Sequence, residues 1–161
     1  MTTLVPMRAE AFDAFAATCI ADYAHDNVQA GRWPDDGAHA RGRAGFAQLL
    51  PQGLQTPDHF VLEIFDAALP EPLGFVWFAL LDEGGERSAY VYNVRVEPAF
   101  RGRGHAKEAL DRVAAIAAEQ GAHALALHVF SFNTSALALY RSLGYGITGM
   151  NMLKPLRREA G

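Results

Sequence analysis

Hydrophobic residues near the start of the chain follow a helical period. Leu4–Met7 is short and apolar enough for a first strand, and a helix is predicted from about Ala9 to Tyr23. Large side chains recur every three or four residues along one face of that helix: Phe12, Phe15, Cys19 and Tyr23. A second helix is predicted from about Gly37 to Leu50. The chain therefore begins with a strand and two helices.

The middle of the chain changes to the pattern of β-strands. The segments His59–Asp66, Leu73–Leu81 and Tyr90–Val96 are rich in aromatic and β-branched residues, which favour strands. Turn-forming residues separate these segments at 67–72 and at 82–86. Because short turns join antiparallel neighbours, the three strands should form a meander.

The last part of the chain alternates helix and strand. An amphipathic helix is predicted from about Gly102 to Gln120, and the apolar strand Ala124–Phe130 follows it. A helix capped by Asn133 comes next, and residues 145–153 alternate as closing strands would. A strand, helix and strand in this order form a right-handed crossover between parallel strands. The predicted fold class is therefore α/β, with a mixed sheet flanked by helices.

Composition and charge narrow the class of protein. With 161 residues, 50% of them hydrophobic, the chain suits a single domain spanning residues 1–161. Its formal net charge of −4 argues against a general nucleic-acid or membrane-surface binder. Cys19 is the only cysteine, and the histidines lack metal-ligand spacing, so no disulfide and no metal site are expected. No apolar run is long enough for a membrane span, and we expect a cytoplasmic protein with a solubilising basic tail at Lys154–Gly161.

The stretch after the strand Tyr90–Val96 carries the clearest chemical signal. Glu97-Pro98 ends the strand, and Arg101-Gly102-Arg103-Gly104-His105-Ala106 opens the next helix. Glycines and a small alanine let backbone N–H groups approach a ligand, and a helix N-terminus attracts anions. Arginines and Lys107 crowd a turn that ordinarily favours acidic residues. The sequence predicts a phosphate-binding loop, with a solvated basic loop as the alternative for an isolated Gly-x-Gly.

Two common nucleotide motifs do not fit this loop. A dinucleotide fingerprint needs glycine or alanine where Lys107 stands, and a Walker loop needs a Gly-Lys-Ser/Thr ending. Arg-x-x-Gly-x-Ala after a strand that ends Val-x-Pro does fit, and it resembles the acetyl-CoA loop of the GNAT acetyltransferase superfamily. Residues Asn133–Tyr145 are similar to the Asn-x-x-Ala-x-x-Leu-Tyr-x-x-x-Gly-Phe block of the same family. The two motifs and their strands cover roughly the second half of the chain.

The resemblance implies a single-domain GNAT-like fold: a mostly antiparallel mixed sheet with a central, splayed parallel pair of strands that holds acetyl-CoA as cosubstrate. The pyrophosphate would bind along the loop residues Arg101, Gly102, Arg103, Gly104, His105 and Ala106. Val94 and Val96 would pair their main chain with the pantetheine arm, as an added strand would. Asn133 would hydrogen-bond that arm, or serve only as a helix cap. The His105 side chain is expected to face solvent or phosphate.

Acetylation of an amine needs both a base and an acid. An alkyl ammonium has a pKa near 10, so only about one molecule in a thousand is nucleophilic at pH 7. The resemblance implies that Tyr140 protonates the CoA sulfur, with a buried core tyrosine as the alternative. His128 is the candidate base, at a position where ribosomal-protein acetyltransferases of the family carry glutamate; a hydrogen-bonded core histidine is the alternative. Asn93 and Glu97 are weaker candidates.

The acceptor is left open by the sequence. The expected reaction is acetyl transfer to a primary amine. Acidic residues in the segment up to Asp36 favour a small cationic one, with solvated helix faces as the alternative explanation of these residues. Tyr23, His25, Arg32 and Trp33 cluster at a connection, where binding groups tend to gather. A protein N-terminal or lysine acetyltransferase acting on a peptide amine is an alternative, and so is a non-catalytic acyl-CoA-binding sensor. Family members often dimerise, so a homodimer also stays open.

Overall fold

The computed structural model of the protein describes residues 1–156, and in this part of the chain it contains five strands and four α-helices. The strands are β1 (Thr2–Pro6), β2 (His59–Asp66), β3 (Gly74–Glu83), β4 (Glu86–Val96) and β5 (Leu125–Leu127). The helices are α1 (Phe12–Gln29), α2 (Ala38–Leu49), α3 (His105–Glu119) and α4 (Thr134–Ser142). The predicted order of elements is thus confirmed up to α4.

The strands form one sheet in the order β1-β2-β3-β4-β5. Strands β1 to β4 are antiparallel neighbours, which confirms the meander, and β5 lies parallel to β4 through the crossover made by α3. The predicted α/β class with a mixed sheet is therefore confirmed. Among the described residues, however, the parallel pair lies at one end of the sheet, where a central position was expected.

The parallel pair lies at the end of the sheet because the closing strands predicted at 145–153 do not form among the described residues. Residues 145–156 form no regular strand, and the side chains from Gly146 to Leu156 are exposed. Gly144, Gly146 and Gly149 interrupt this segment, and glycine weakens a strand because it offers no side chain to pack. Alternating polarity alone was therefore an insufficient signal here. Of the predicted basic tail, residues 157–161 lie outside the described residues.

Helices cover both faces of the sheet. On one face, α3 packs Leu110 and Val113 against Phe78 and Val91 in a buried cluster. On the other face, α1 and α2 pack against a second cluster that includes Trp77. Because Trp77 and Phe78 are consecutive in β3, their side chains point to opposite faces, as the period of a strand requires. The two faces are called the α3 face and the α1/α2 face below.

Gly74 is a packing constraint at the start of β3. A Cβ at this position would lie 2.0 Å from the carbonyl oxygen of Arg95 and 3.0 Å from the Cα of Val96. Since these backbone atoms of β4 cannot move aside without disturbing the ladder, Gly74→Ala should lower the free energy of unfolding by about 3 kcal/mol. Chemical denaturation measures this change.

Gly146→Ala is the matched control for that experiment. A Cβ at Gly146 would meet no atom within 4 Å, and its φ does not lie in the left-handed region. Equal stability of the Gly74→Ala and Gly146→Ala proteins would contradict the close approach of β3 to β4 at Gly74.

Candidate functional site

Strands β4 and β5 are neighbours over only a short distance. Their pairing runs from Ala89 with Leu125 to Val91 with Leu127. β4 then continues to Val96, whereas β5 ends at Leu127. Beyond Val91, the edge of β4 that faced β5 has no strand partner among the described residues, so an extended ligand can pair with it. This opening between the two strands is called the sheet gap below.

A β-bulge in β4 lies beside the sheet gap. Val91 pairs with Phe78 and Asn93 pairs with Trp77, so Tyr92 is an extra residue in β4. Such a bulge changes which side chains of the strand share a face. Tyr92 packs in the α1/α2-face cluster with Trp77, and the neighbouring Asn93 also reaches α1. Bulges are frequent beside functional sites because they redirect side chains.

The valines beyond the bulge turn to the α3 face. Val94 packs against the cluster of Leu110, and Val96 is buried beside Ala109. Since both side chains belong to the core, only their main chain is available to a ligand. The carbonyl of Val96 accepts a hydrogen bond from Arg101 Nε at 2.8 Å, which ties the following loop to the end of β4.

The loop before α3 presents a row of unbonded backbone donors. None of the backbone N–H groups from Gly102 to Lys107 donates a hydrogen bond to another described residue. Gly102 (φ +77°) and Gly104 (φ +85°) adopt the left-handed conformation, and a Cβ on either would meet no atom within 4 Å. Free N–H groups that face open space at a helix N-terminus suit an anion. The loop therefore has the donors and the space that a diphosphate requires.

Charged side chains leave this loop with a positive potential. Arg103 and Lys107 are exposed and free to approach an anion. Glu108 is the acidic residue of the first turn of α3, but its carboxylate accepts a hydrogen bond from the Thr2 N–H at 3.0 Å. Hydrogen bonds from Thr2 lower the pKa of Glu108, which is thus held as an anion on β1.

The His105 ring does not point where the sequence suggested. Its Nδ1 lies 3.1 Å from Thr2 Oγ1 and 4.0 Å from Asp66 Oδ2, and the side chain is only 11% exposed. The expectation that this ring faces solvent or phosphate is wrong, because the first turn of α3 packs against β1. Only the backbone N–H of His105 is left for a ligand in the loop.

Asn133 has the structural role that its position predicts. Its Oδ1 accepts a hydrogen bond from the Ala136 N–H at 3.3 Å and so caps α4. Its Nδ2 makes no hydrogen bond to another described residue, so the amide keeps a donor for a ligand. The cap and a ligand contact are therefore compatible.

Tyr140 lies on α4, at the border of the α3-face cluster that contains Val91. Its ring is half-buried, and the ring centroid lies 5.7 Å from that of Tyr145. No described residue hydrogen-bonds to the Tyr140 hydroxyl. Burial raises the pKa of Tyr140, so the phenol keeps its proton at neutral pH. The hydroxyl is not among the buried polar atoms without a partner, so it reaches solvent and is accessible to a ligand.

His128 directly follows β5, at the rim of the sheet gap. Its side chain is exposed and packs edge-on against Phe130, with ring centroids 4.7 Å apart. Partial burial, followed by the positive charge of Arg32, lowers the pKa of His128. The imidazole is thus neutral at pH 7 and has a lone pair to accept a proton. A core histidine would be fully buried and hydrogen-bonded, whereas His128 is exposed and makes no hydrogen bond to another described residue.

The weaker base candidates are both engaged with neighbours. Asn93 Nδ2 donates to the buried Cys19 Sγ at 3.4 Å, and burial raises the pKa of that thiol to about 12. The Glu97 carboxylate lies 3.7 Å from Arg95 Nε. Neither side chain is as free to accept a proton as His128.

Comparison with known proteins shows which family this chain belongs to. The sequence model of the acetyltransferase (GNAT) family matches residues 22–145, which is more than half of the chain. This chain belongs to the GNAT acetyltransferase family. The resemblance read from the two motifs is therefore confirmed, and with it the predicted class of acyltransferase.

Relatives of this GNAT acetyltransferase align along nearly the whole chain. It is 32% identical over 154 residues to the uncharacterized N-acetyltransferase YdgE of Bacillus subtilis strain 168, covering 96% of this chain and 98% of YdgE. The crystal structure of the putative acetyltransferase YycN from Bacillus subtilis superposes with a TM-score of 0.91 at 31% identity, covering 98% of this chain and 100% of YycN. A shorter stretch of 58 residues is 34% identical to thialysine N-epsilon-acetyltransferase of Bos taurus, covering 36% of this chain and 34% of that enzyme.

Members of the GNAT family use acetyl-CoA as cosubstrate, which confirms the predicted donor. The sheet gap and the loop before α3 offer this GNAT acetyltransferase a strand edge and a row of anion-binding donors. No helix in residues 1–156 is long and apolar enough to cross a membrane.

One positioning residue of this GNAT acetyltransferase escaped the reading of the sequence. Asn27 is fully buried in α1, where its Nδ2 donates to the Tyr23 carbonyl at 2.8 Å. The main-chain carbonyl of Asn27 accepts hydrogen bonds from the N–H groups of Arg32 and Trp33 at 3.0 and 3.3 Å. The main chain of Asn27 thus fixes the start of the connection after α1, while its side chain bonds to the preceding turn of the helix. A signal was present, because Asn27 continues the apolar stripe of the helix four residues after Tyr23.

Proposed function

We propose that this GNAT member is a single-domain enzyme, spanning 1–161, that transfers acetyl directly from acetyl-CoA to a small primary amine that is cationic at neutral pH. The observation that carries the proposal is the row of free N–H groups from Gly102 to Lys107, at the end of the strand that borders the sheet gap. Together, these features would hold a diphosphate and an extended arm in line. Acetyl-CoA supplies the activated acetyl group.

The loop, β4 and the start of α4 have separate roles in binding the donor. Backbone N–H groups from Gly102 to Ala106 hold the diphosphate, and the positive side chain of Arg103 adds to the potential there. The main chain of β4 at Val94 and Val96 pairs with the pantetheine arm, and Asn133 Nδ2 donates to it from the start of α4. Arg101 contributes by fixing the loop to the Val96 carbonyl.

The proton balance of the reaction requires a base and an acid, and we assign these roles to His128 and Tyr140. The ammonium form of the acceptor first releases one proton to solvent, and the neutral amine nitrogen then attacks the thioester carbonyl and forms the new C–N bond. The second proton that this nitrogen loses goes to neutral His128, directly or through water. The C–S bond then breaks, and Tyr140 donates its proton to the departing sulfur. Both groups have the protonation state that their role needs, since burial keeps the phenol protonated and the imidazole neutral.

The acidic side chains of the first helices give less support to a strongly cationic acceptor than the sequence suggested. Asp22 Oδ2 is paired with Arg95 at 3.1 Å, so its charge is already balanced. A positive charge, Arg32, lies near His128. We therefore assign the acceptor a single ammonium group, the one that is acetylated.

The test is amine-dependent release of free CoA, measured with a thiol reagent. The panel contains simple alkylamines, thialysine, free lysine, and peptides with a free N-terminus or a lysine. Release with small amines supports the proposal, and release with peptides alone would favour a protein acetyltransferase. Tight acetyl-CoA binding without release for any amine would overturn the proposal in favour of a sensor.

The pH dependence of kcat should report His128. Because its pKa is lowered below the ordinary value of a histidine, the acidic limb of the kcat profile should lie below about pH 6.5. Arg32→Gln removes a positive charge that disfavours the imidazolium, so the pKa of His128 should rise and the acidic limb should move to higher pH. Rates at pH 8 should change less than rates at pH 6.

His39→Gln is the control for this profile, because His39 is an exposed histidine on α2. Its profile should match that of the unmodified enzyme. If His128→Ala kept the acidic limb in place, another group would be the base.

A further inference from the structure

Two pairs of aromatic rings lie on the α1/α2 face, one on α1 and the connection after it, the other on β4. The ring centroids of Tyr23 and Trp33 are 5.3 Å apart, and those of Tyr90 and Tyr92 are 4.9 Å apart. Cys19, one turn before Tyr23 on α1, accepts a hydrogen bond from Asn93 of β4 at 3.4 Å, so α1 crosses β4 close to both pairs. These four residues are called the aromatic strip.

The strip is held rigidly at the point where β4 and β5 part. Tyr92 is the bulge residue, and its ring stacks on Trp77 at 4.7 Å and on His59 at 5.7 Å. His59 is fixed in turn, since its Nδ1 accepts a hydrogen bond from Trp77 Nε1 at 2.9 Å. On the other side, hydrogen bonds with Asn27 fix the main chain at Tyr23 and Trp33, and the two rings pack edge to face on each other. A rigid wall of this kind binds a flat group with little loss of side-chain entropy.

The rings of the strip are accessible, and their polar atoms are free. Tyr23 is 45% exposed, and the other three rings are partly exposed. No hydroxyl of Tyr23, Tyr90 or Tyr92 hydrogen-bonds to another residue in the described part of the chain. Packing of the core therefore does not use all of this surface.

The charges near the strip exclude a second ammonium better than they attract one. Asp22 is paired with Arg95, so its charge is already balanced. Arg32 adds a positive charge toward the reacting end, where it contributes to lowering the pKa of His128. An acceptor with one reactive amine and an uncharged body fits these surroundings, whereas a diamine would bring its second charge toward Arg32.

We propose that the aromatic strip binds the body of the acceptor and that the acceptor is an arylalkylamine, a primary amine joined by a short chain to a flat aromatic ring. This inference rests on the proposed acetyl transfer and names the substrate class for it. The aromatic ring of the acceptor packs on Trp33 and the tyrosines, and its amine reaches the sheet gap between Tyr92 and His128. Each favourable ring contact corresponds to about a 2- to 10-fold gain in affinity.

Turnover of three primary amines tests the specificity: 2-phenylethylamine, n-hexylamine and 1,4-diaminobutane. At saturating acetyl-CoA, kcat/KM for 2-phenylethylamine should exceed that for n-hexylamine by about tenfold, and the diamine should be poorest. Trp33→Leu and Tyr23→Leu keep apolar bulk but remove a ring, so each should reduce the ratio of phenylethylamine to hexylamine. Phe65→Leu, a partly exposed ring at the other end of β2, should leave the ratio unchanged. Equal or better turnover of hexylamine, the diamine or a peptide would overturn the assignment.

A binding measurement distinguishes two outcomes: failure of the arylalkylamine assignment and failure of the proposed acetyl transfer. Titration calorimetry of 2-phenylethylamine into protein saturated with CoA needs no turnover, and Trp33→Leu should weaken that binding. If no amine releases CoA but phenylethylamine binds in this way, the transfer function fails and the strip stands. If all of the amines cause release of CoA from acetyl-CoA, with no preference for an aryl group, the proposed function stands and the assignment of the aromatic strip fails.

Discussion

Tyr140→Phe should lower kcat by about 10²–10⁴ while the Kd for acetyl-CoA stays nearly the same. The departing thiolate needs a proton, and the Tyr140 hydroxyl is a half-buried donor without a partner among the described residues. Phenylalanine keeps the ring that packs against the α3-face cluster, so the fold and the donor site should be preserved. Pre-steady-state measurement of acetyl transfer, with calorimetric binding of acetyl-CoA, separates the two effects.

Tyr145→Phe is the matched control for this experiment. Tyr145 is the ring neighbour of Tyr140, and its pKa is raised to about 12 by burial, with smaller effects from Tyr140 and Asp111. Removal of its hydroxyl changes the same aromatic pair without removing the proposed proton donor, so turnover should stay near that of the unmodified enzyme. Unchanged turnover in Tyr140→Phe would remove Tyr140 from the reaction, and equal losses in both variants would indicate a packing effect.

The parts of this protein that sequence reading predicted best are those that local chemistry determines. A loop with Gly102 and Gly104 after a proline-terminated strand, and an asparagine that begins a helix, need only neighbouring residues to adopt their conformations. The structure contains both features. The meander was also predictable, because its turns connect consecutive strands.

Features that depend on distant residues were not predictable in the same way. The bulge at Tyr92 exists only relative to Trp77 on the neighbouring strand, and the sheet gap depends on where β5 ends. His105 was misplaced because its ring packs on Thr2, a contact across most of the chain. The segment 145–153 has the polarity of a strand, but among the described residues no strand pairs with it.

These nonlocal features also explain why the two substrates would reach the sheet gap from different directions. The side chains of Val94 and Val96 pack on the α3 face, and the edge of β4 proposed to bind the donor lies along these residues. The loop before α3 follows directly after this part of β4. Tyr92 follows Tyr90 on the α1/α2 face, where the aromatic strip lies, and the bulge returns Val94 and Val96 to the α3 face. Direct transfer without a covalent enzyme intermediate needs such an arrangement, because both substrates must be bound together.

Gly104→Val should raise the Kd for acetyl-CoA by about 10- to 100-fold, the range expected when a hydrogen bond to a charged group is lost. The space in front of Gly104 is open, so a valine side chain would not strike the protein itself. It would instead occupy the volume in which the diphosphate approaches the free N–H groups of the loop. Isothermal titration with acetyl-CoA measures the change.

Gly121→Val separates loss of the anion site from backbone strain. Gly121 has φ +87° and Gly104 has φ +85°, and in both cases a Cβ would meet nothing within 4 Å. A valine in the left-handed region costs about 1–2 kcal/mol at either position, so the two variants should unfold at similar denaturant concentrations. Gly121 lies just beyond the opposite end of α3, away from the loop, so only Gly104→Val should weaken acetyl-CoA binding. If both variants bound acetyl-CoA as the unmodified protein does, the diphosphate would lie elsewhere, and the strand edge at the sheet gap would lose its assigned ligand as well.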